Sequence, residues 1–340
     1  TLSPAFQRYF YGMPELFARA PGKVNLIGEH TDYNDGLVFL CAINREFHAL
    51  FRKNPAKKAA HVYSIDYQEA DEFDLDFDES EKSKAFPWSN YLRGVLFALR
   101  ESNLELGGFD VAISGDVPQG AGLSSSAAYE LAIATGLNEL FDLKQDPKAL
   151  ALLCRKGENS FVGVNCGIMD QLISAIGEED SALKIDCRTL ASEAVPLRLQ
   201  ERGLRLVITE SGVERDLLNS AYNDRREECE QAAKLIAEAS SKELPFLRDI
   251  NSELFKQHQS VLEDKVLRRA RHVLSENERV TAAVAALTED RLEDFGRLMK
   301  ESHNSLRDDF EVCCREVDQL VDLTNAHAGV IGSRMTGAGF

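Results

Sequence analysis

Four short stretches of the chain bring together residue types that do chemistry. The first, APGKVNLIGEHTDYNDG (20–36), sets Lys23, Glu29, His30 and Asp32 close together, interrupted by Gly22, Gly28 and Gly36. Val24, Leu26 and Ile27 draw part of the same segment into the interior, and polar groups lodged beside core residues need partners. A polyol, whose hydroxyls both donate and accept, suits Glu29, His30 and Asp32 as a set. Taken alone, His30 reads more readily as a satisfied structural histidine than as a ligand. As a cluster the residues favour a binding site.

The second stretch, VPQGAGLSSSAAYELA (117–132), places Gly120, Ala121, Gly122, Leu123, Ser124, Ser125 and Ser126 ahead of a helical run. Small residues let a ligand approach the backbone. A helix beginning near Ser124 aims free N–H groups and the positive end of its dipole at an anion. Serine hydroxyls bind phosphate oxygens or a magnesium ion. The lysine that completes the common P-loop pattern is missing. On this segment alone a phosphate cradle and a plain turn capped by Ser124 both stand.

In GENSFVGVNCGIMDQ (157–171), Glu158 and Asp170 lie on either side of a glycine-bearing turn. Asp170 follows CGIM, so its carboxylate is partly buried. Near a cation, such a group orients and deprotonates a hydroxyl. Cys166 has no nearby histidine to activate it and reads as a buried thiol. In FPWSNYLRG (86–94), Trp88 and Tyr91 share a face if the segment is helical. Core packing explains the pair, and so does an aromatic slot for a nucleobase.

The elements that must position these residues are strands in the first half and helices in the second. LVFLCAI (37–43) is a buried strand. EFDLDFDE alternates Phe73, Leu75 and Phe77 with acids, the pattern of a strand with one wet face. Strand signals continue at 110–118, 181–187 and 204–211. Helical spacing marks 224–239, 290–306 and 311–326, and Ser275 with Glu278 fits a capping box before RVTAAVAAL. A composition shift near residues 190–205 marks the domain boundary, between 195 and 196.

The chain has 340 residues and a net charge of −17. No basic block stands out, which argues against nucleic acid as a partner. The seven cysteines are scattered, without C-x-x-C spacing, and read as reduced thiols in a cytoplasmic protein. The N-terminus lacks a signal-peptide pattern, and no apolar run reaches the ~18 residues of a membrane span. The expectation is a monomer or weak homodimer with no membrane partner. GVIGSRMTGAGF (329–340) is a strand-then-glycine pattern that stops at Phe340, as if a C-terminal piece had been left off.

Three segments together resemble galactokinases of the GHMP kinase superfamily. APGKVNLIGEHTDYNDG is similar to the galactokinase signature, VPQGAGLSSSAAYELA to the ATP-binding motif, and GSRMTGAGF to the start of the third, glycine-rich motif; NCGIMDQLIS and ESHNSLRDDFEV are also galactokinase-like. The resemblance implies an α+β, two-lobed fold with its active site in the cleft between an N-terminal ATP- and galactose-binding domain (1–195) and a C-terminal GHMP-type domain (196–340) that is cut short. It implies ATP and Mg2+ as cofactors and galactose as substrate, phosphorylated on its 1-hydroxyl. Asp170 matches the catalytic aspartate. Glu29, His30, Asp32, Gly167 and Tyr222 match the sugar pocket, Gly120 to Ser126 the phosphate loop, and Ser126 and Glu158 the magnesium ligands. Ser64, Trp88 and Tyr91 are similar to positions lining the nucleotide site. Lys23 stands where galactokinases usually carry arginine, a planar fork replaced by a point charge. A non-catalytic galactose and ATP sensor and a kinase for N-acetylgalactosamine are the alternatives. The intact serines of residues 124–126 disfavour the sensor.

Overall fold

The computed structural model describes residues 2–78, 80–213 and 222–339. In chain order the elements are α1 (Leu2–Phe10), β1 (Leu16–Ile27), β2 (Leu37–Lys53), β3 (Ala59–Ser64), β4 (Glu69–Asp74), α2 (Ser89–Glu101), β5 (Phe109–Gly115), α3 (Ser125–Leu140), α4 (Pro147–Gly157) and α5 (Met169–Ile176). There follow β6 (Ser181–Asp186), β7 (Ser192–Pro196), α6 (Tyr222–Ser240), α7 (Ser252–His258), α8 (Asp264–Thr288), α9 (Leu292–Ser305) and α10 (Arg315–Asn325). The chain divides into two compact units, one of Thr1–Lys23, Ala42–Gln119 and Leu123–Gly177, the other of Val24–Cys41, Gly120–Gly122 and Glu178–Phe340.

In the first unit β3 lies between β4, antiparallel, and β5, parallel, and Phe47–Lys53 of β2 pair antiparallel with β5. Its core joins Phe51, Phe109 and Val111 of these strands to Leu92, Leu96 and Leu99 of α2 and Leu131, Ile133 and Leu137 of α3. Asp146 starts α4 by accepting from the Lys148 and Ala149 amides ahead of Pro147, a fixed-φ residue suited to the first helical position. The helices α2 and α4 meet glycine on glycine. A Cβ on Gly157 would fall 2.3 Å from the Gly94 carbonyl oxygen, and one on Gly94 would fall 3.0 Å from that of Gly157. This contact sets the height of Glu158, the next residue along.

In the second unit Leu37–Leu40 pair antiparallel with Leu183–Asp186 of β6, and β7 follows on the other side of β6. Residues 178–195, placed with the first half by composition, belong to this unit because of that pairing. The core here gathers Cys229, Ala233 and Ile236 of α6, Val266, Ala270 and Val273 of α8, and Leu306, Phe310 and Val321. One polar stripe of α8 faces inward: Arg269, His272 and Glu276 are all fully buried.

Two elements differ from the sequence reading. Residues 204–211 form no strand; Leu206, Val207 and Ile208 are exposed and pair with no described strand. Ser275 does not start a helix. It lies inside α8, with its hydroxyl donating back to the Arg271 carbonyl, the local bond that serine makes in mid-helix. The alternating acids after Phe73 extend beyond the strand, since β4 ends at Asp74 while Phe77 is still buried.

Candidate active site

The first unit carries an acid and a base. Asp170 occupies the first turn of α5, where the helix dipole favours a carboxylate. Lys23, on β1, places Nζ 3.1 Å from Asp170 Oδ1; the lysine side chain is 2% exposed and that of Asp170 32%. The strand is pressed against the loop that follows β5. The Lys23 amide donates to the Leu123 carbonyl at 3.0 Å, and a Cβ on Gly22 would fall 2.9 Å from that oxygen and from Val117. The loop that holds the serines is thereby fixed beside the lysine.

Beside this pair lies a second group of carboxylates. Gln171, one residue beyond Asp170, donates from Nε2 to Glu158 Oε2 at 2.7 Å and to Glu130 Oε2 at 3.5 Å. Burial and the charge of Asp170 push the Glu158 carboxyl above the usual carboxylate range, against hydrogen bonds from Cys166, Ser126 and Gln171. Burial and Glu158 push Glu130 up in the same way. Glu130 Oε1 is buried and has no hydrogen-bond partner. A hydroxyl and a carboxylate in contact, backed by a second buried carboxyl group that protein donors leave unsatisfied, suit a hard divalent cation that takes oxygen ligands. Ser126 and Glu158 could hold one.

Cys166 is a thiol raised well above its ordinary range by burial, and its sulfur donates to Glu158 and Asn159. It is no nucleophile. Tyr91 reaches the same group, because burial first and then Glu158 and Glu130 raise its hydroxyl. Sequence reading missed Glu130 and Gln171. The spacing of Ser126 and Glu130, four residues apart on α3, held the clue, since such positions share a helix face.

The serine loop is a cradle by its backbone. Gly120, Gly122 and Ser124 have φ of 70°, 73° and 59°, alternating with their neighbours. Left-handed residues interspersed along a turn converge successive N–H groups into a concavity for an anion. Ser124 precedes α3 without a side-chain capping bond, so the reading of a plain serine-capped turn falls. Gly122 admits no side chain: a Cβ there would lie 2.9 Å from the Thr336 carbonyl oxygen and 3.0 Å from Gly337 Cα.

Trp88 sits just before α2 and donates from Nε1 to Glu69 Oε2 at 2.8 Å. Its ring lies nearly parallel to that of Tyr67, 17° between planes and 6.2 Å between centroids. Ser64 accepts from the Tyr67 amide, and Tyr67 is hydrogen-bonded to Gln119 beside the serine loop. Ser64, Tyr67 and Trp88 thus share one corner. Tyr91, on the first turn of α2, feels the charge of Glu158 and Glu130.

The second unit holds the remaining polar residues of the signature. Glu29 is 1% exposed; its Oε1 accepts from the Gly337 amide at 2.7 Å and from the Thr336 hydroxyl, and it forms an ion pair with Arg334 at 3.3 Å. His30 takes a left-handed φ of 61°. Its Nε2 meets the Ala338 carbonyl at 2.9 Å and its Nδ1 the Tyr33 hydroxyl at 2.8 Å. A carbonyl only accepts, so the proton is on Nε2. Burial lowers the ring to about 4, so it is neutral. Tyr222 stands 5.9 Å from His30 between ring centroids, and Asp32 opens the short helical turn Asp32–Asn34. Glu29, His30, Asp32 and Tyr222 are therefore brought together. Gly167, also expected in the sugar pocket, precedes α5 in the first unit with Asp170.

The loop of residues 28–37 is tied to one face of α8. The Gly28 amide donates to Glu276 Oε1 at 2.8 Å, the Leu37 amide to Asn277 Oδ1 at 2.7 Å, and His272 Nε2 to the Glu29 carbonyl at 3.1 Å.

These features agree with comparisons against known proteins. The galactokinase galactose-binding signature matches residues 4–53, the N-terminal domain of GHMP kinases 90–178 and their C-terminal domain 283–340. Galactokinases from Chloroflexus aggregans and Chloroflexus aurantiacus are each 46% identical over 340 residues, all of this chain and 85% of theirs. The chain belongs to the galactokinase family. A crystal structure of Lactococcus lactis galactokinase complexed with galactose superposes with a TM-score of 0.90 at 36% identity, covering 99% of this chain and 87% of that one. Methanococcus jannaschii mevalonate kinase, at 17% identity and a TM-score of 0.65, shares the fold. Galactokinases of this family are ATP-dependent sugar kinases, and the α+β architecture here is theirs. No described helix is long and apolar enough to cross a membrane.

Proposed function

We propose that this chain transfers the γ-phosphoryl group of ATP to the 1-hydroxyl of α-D-galactose, giving galactose 1-phosphate and ADP. The observation that carries the reading is the Lys23–Asp170 pair, a sealed amine beside a carboxylate that keeps a third of its surface open. Phosphoryl transfer rests mainly on positioning and on stabilising charge. Asp170 orients the sugar hydroxyl and accepts its proton, and Lys23 offsets negative charge as the phosphoryl group moves. The left-handed turns of Gly120, Gly122 and Ser124 support a role for residues 120–126 in receiving the phosphates.

Mg2+ held by Ser126 and Glu158 would neutralise phosphate charge. Tyr67, Trp88 and Ser64 receive the nucleobase side, and Tyr91 backs the carboxylates. In the second unit Asp32 and Tyr222 are assigned to the sugar, with the sealed Glu29 bracing their loop; in the first unit Gly167 is assigned to it beside Asp170. His30, with both ring nitrogens engaged by protein groups, shapes the pocket wall. The free thiols support a reducing, cytoplasmic setting. A monomer or weak homodimer is the expected assembly, read by sedimentation.

The test is ADP release measured with galactose, N-acetylgalactosamine, mevalonate and homoserine. Galactose is expected to dominate. Asp170→Asn is expected to abolish turnover while a galactose thermal shift survives. Wild-type turnover in that variant refutes the assignment.

A further inference from the structure

Between α9 and α10 the chain collects three side chains that take no part in the site above. His303 lies in the last turn of α9, Cys313 in the connection and Asp318 on the first turn of α10. One ligand-type atom of each lies within 4.8 Å of the other two. His303 is 2% exposed. Its Nε2 lies 3.4 Å from Asp318 Oδ1, and neither atom makes a well-directed hydrogen bond. Its Nδ1 lies 3.9 Å from Cys313 Sγ, and the Met335 thioether is 3.6 Å from the same sulfur. The Met335 amide points at Nδ1 from 3.4 Å, and Nε2 is the ring nitrogen that faces Asp318. Arg307 and Arg334, whose charges act on His303, are paired with Asp308 and Glu29.

Zinc binds imidazole nitrogen, thiolate and carboxylate in a tetrahedron with bonds of about 2.0–2.3 Å, which sets neighbouring donor atoms roughly 3.3–3.8 Å apart. The 3.4 Å from Nε2 to Asp318 Oδ1 matches that spacing; the sulfur's 3.9 Å is to the other ring nitrogen, and the three donor atoms, all within 4.8 Å of one another, close up on binding. We propose that His303, Cys313 and Asp318 form a binding site for a zinc-type divalent cation, with a fourth position open to water. On binding, the Cys313 thiol gives its proton to solvent and its sulfur forms the bond to the metal as thiolate. One ring nitrogen and one carboxylate oxygen supply the other ligands, and nothing is oxidised or reduced. Thiolate and carboxylate together offset the two charges of the ion, so the neighbouring arginines face a neutral centre.

The test uses the full chain, freed of metal and without ATP, titrated with Co2+ and then Zn2+. A single equivalent of cobalt is expected to bind with a thiolate-to-cobalt charge-transfer band, which zinc displaces. Cys313→Ser is expected to lose the band and to weaken zinc binding about tenfold or more. Asp318→Asn weakens zinc to a similar degree and keeps the band, while Cys314→Ser, the adjacent thiol, changes neither. No band in the unaltered protein, or a band that survives Cys313→Ser, overturns the proposal. Should Cys313→Ser fail to fold, alkylation mapped by mass spectrometry on the unaltered chain decides. Zinc is expected to protect Cys313, and equal labelling with and without zinc overturns the site.

Discussion

Lys23 and Asp170 form a pair of unequal exposure: Nζ stands 3.1 Å from Oδ1, with the amine sealed by protein and the carboxylate open on one side. The amine is fixed by its surroundings and cannot swing toward solvent, so its charge is spent on whatever sits against Asp170. A point charge in that place lacks the two-pronged geometry of a guanidinium. Lys23→Arg is therefore expected to raise kcat several-fold with little change in the KM for galactose. An unchanged or lower kcat would show that the lysine is already well matched to the transition state.

Ser126 and Glu158 are the residues assigned to the metal, and Gln171 holds Glu158 in place. Glu158→Gln removes the negative charge while keeping the shape. The apparent Mg2+ affinity, taken from the Mg2+ dependence of kcat/KM at fixed ATP, is expected to fall about tenfold or more. Gln171→Leu leaves both candidate ligands present and is expected to weaken Mg2+ less than Glu158→Gln does. Equal Mg2+ dependence in Glu158→Gln and the parent would remove Glu158 from the site.

Glu276 anchors the Gly28 amide and is fully buried. Burial alone would raise its carboxyl, but Arg279, then His272 and Arg334, hold it down to about 2. A carboxylate with a depressed folded-state value stabilises the protein above its unfolded value of about 4.3, and that contribution fades as pH falls toward about 2. The contribution is of order 3 kcal/mol. Urea unfolding from neutral to acidic pH should show this acid limb flattened in Glu276→Gln. At neutral pH the same variant is expected to raise the KM for galactose more than it lowers kcat, because it loosens the loop of residues 28–37. A sloped acid limb identical to the parent's would contradict the assignment.

Trp88 is the one tryptophan in the sequence, and it lies in the corner assigned to the nucleobase, parallel to Tyr67. Intrinsic tryptophan fluorescence is thus a private reporter of that corner. ADP is expected to quench it and galactose to leave it nearly unchanged. Trp88→Ala is expected to raise the KM for ATP by roughly 5- to 150-fold, the worth of one aromatic stacking partner at about 1–3 kcal/mol. A galactose-dependent quench with none from ADP would move the nucleotide elsewhere.

The serine loop and the galactokinase signature were legible because each is a local pattern: one glycine-punctuated segment carries its own geometry. Ser124 illustrates the limit of such reading. Its type allowed a cap or a cradle, and only its left-handed φ separates them. Glu130 and Gln171 stayed hidden because their meaning comes from segments distant in the chain. Glu130 matters only when α5 brings Gln171 against it. The contact of Gly94 with Gly157 was equally invisible, since no local rule distinguishes a glycine that lets two helices touch from one that loosens a helix. Residues 204–211 failed in the opposite sense, with strand-like composition but no strand to pair with among those described.

The hydrogen bond from the Gly337 amide to Glu29 joins residues 308 apart in sequence. Contacts of such span form late, after the loop between them has paid its closure entropy. Lys23 and Asp170 are both synthesised long before a ribosome reaches Arg334. The sugar-signature loop, in contrast, waits on Arg334 for the guanidinium that neutralises its buried glutamate. Without residues 334–338 the Glu29 carboxylate would be buried with neither its guanidinium nor its amide donor, so the state of the sugar signature reports on whether that distant segment has folded against it.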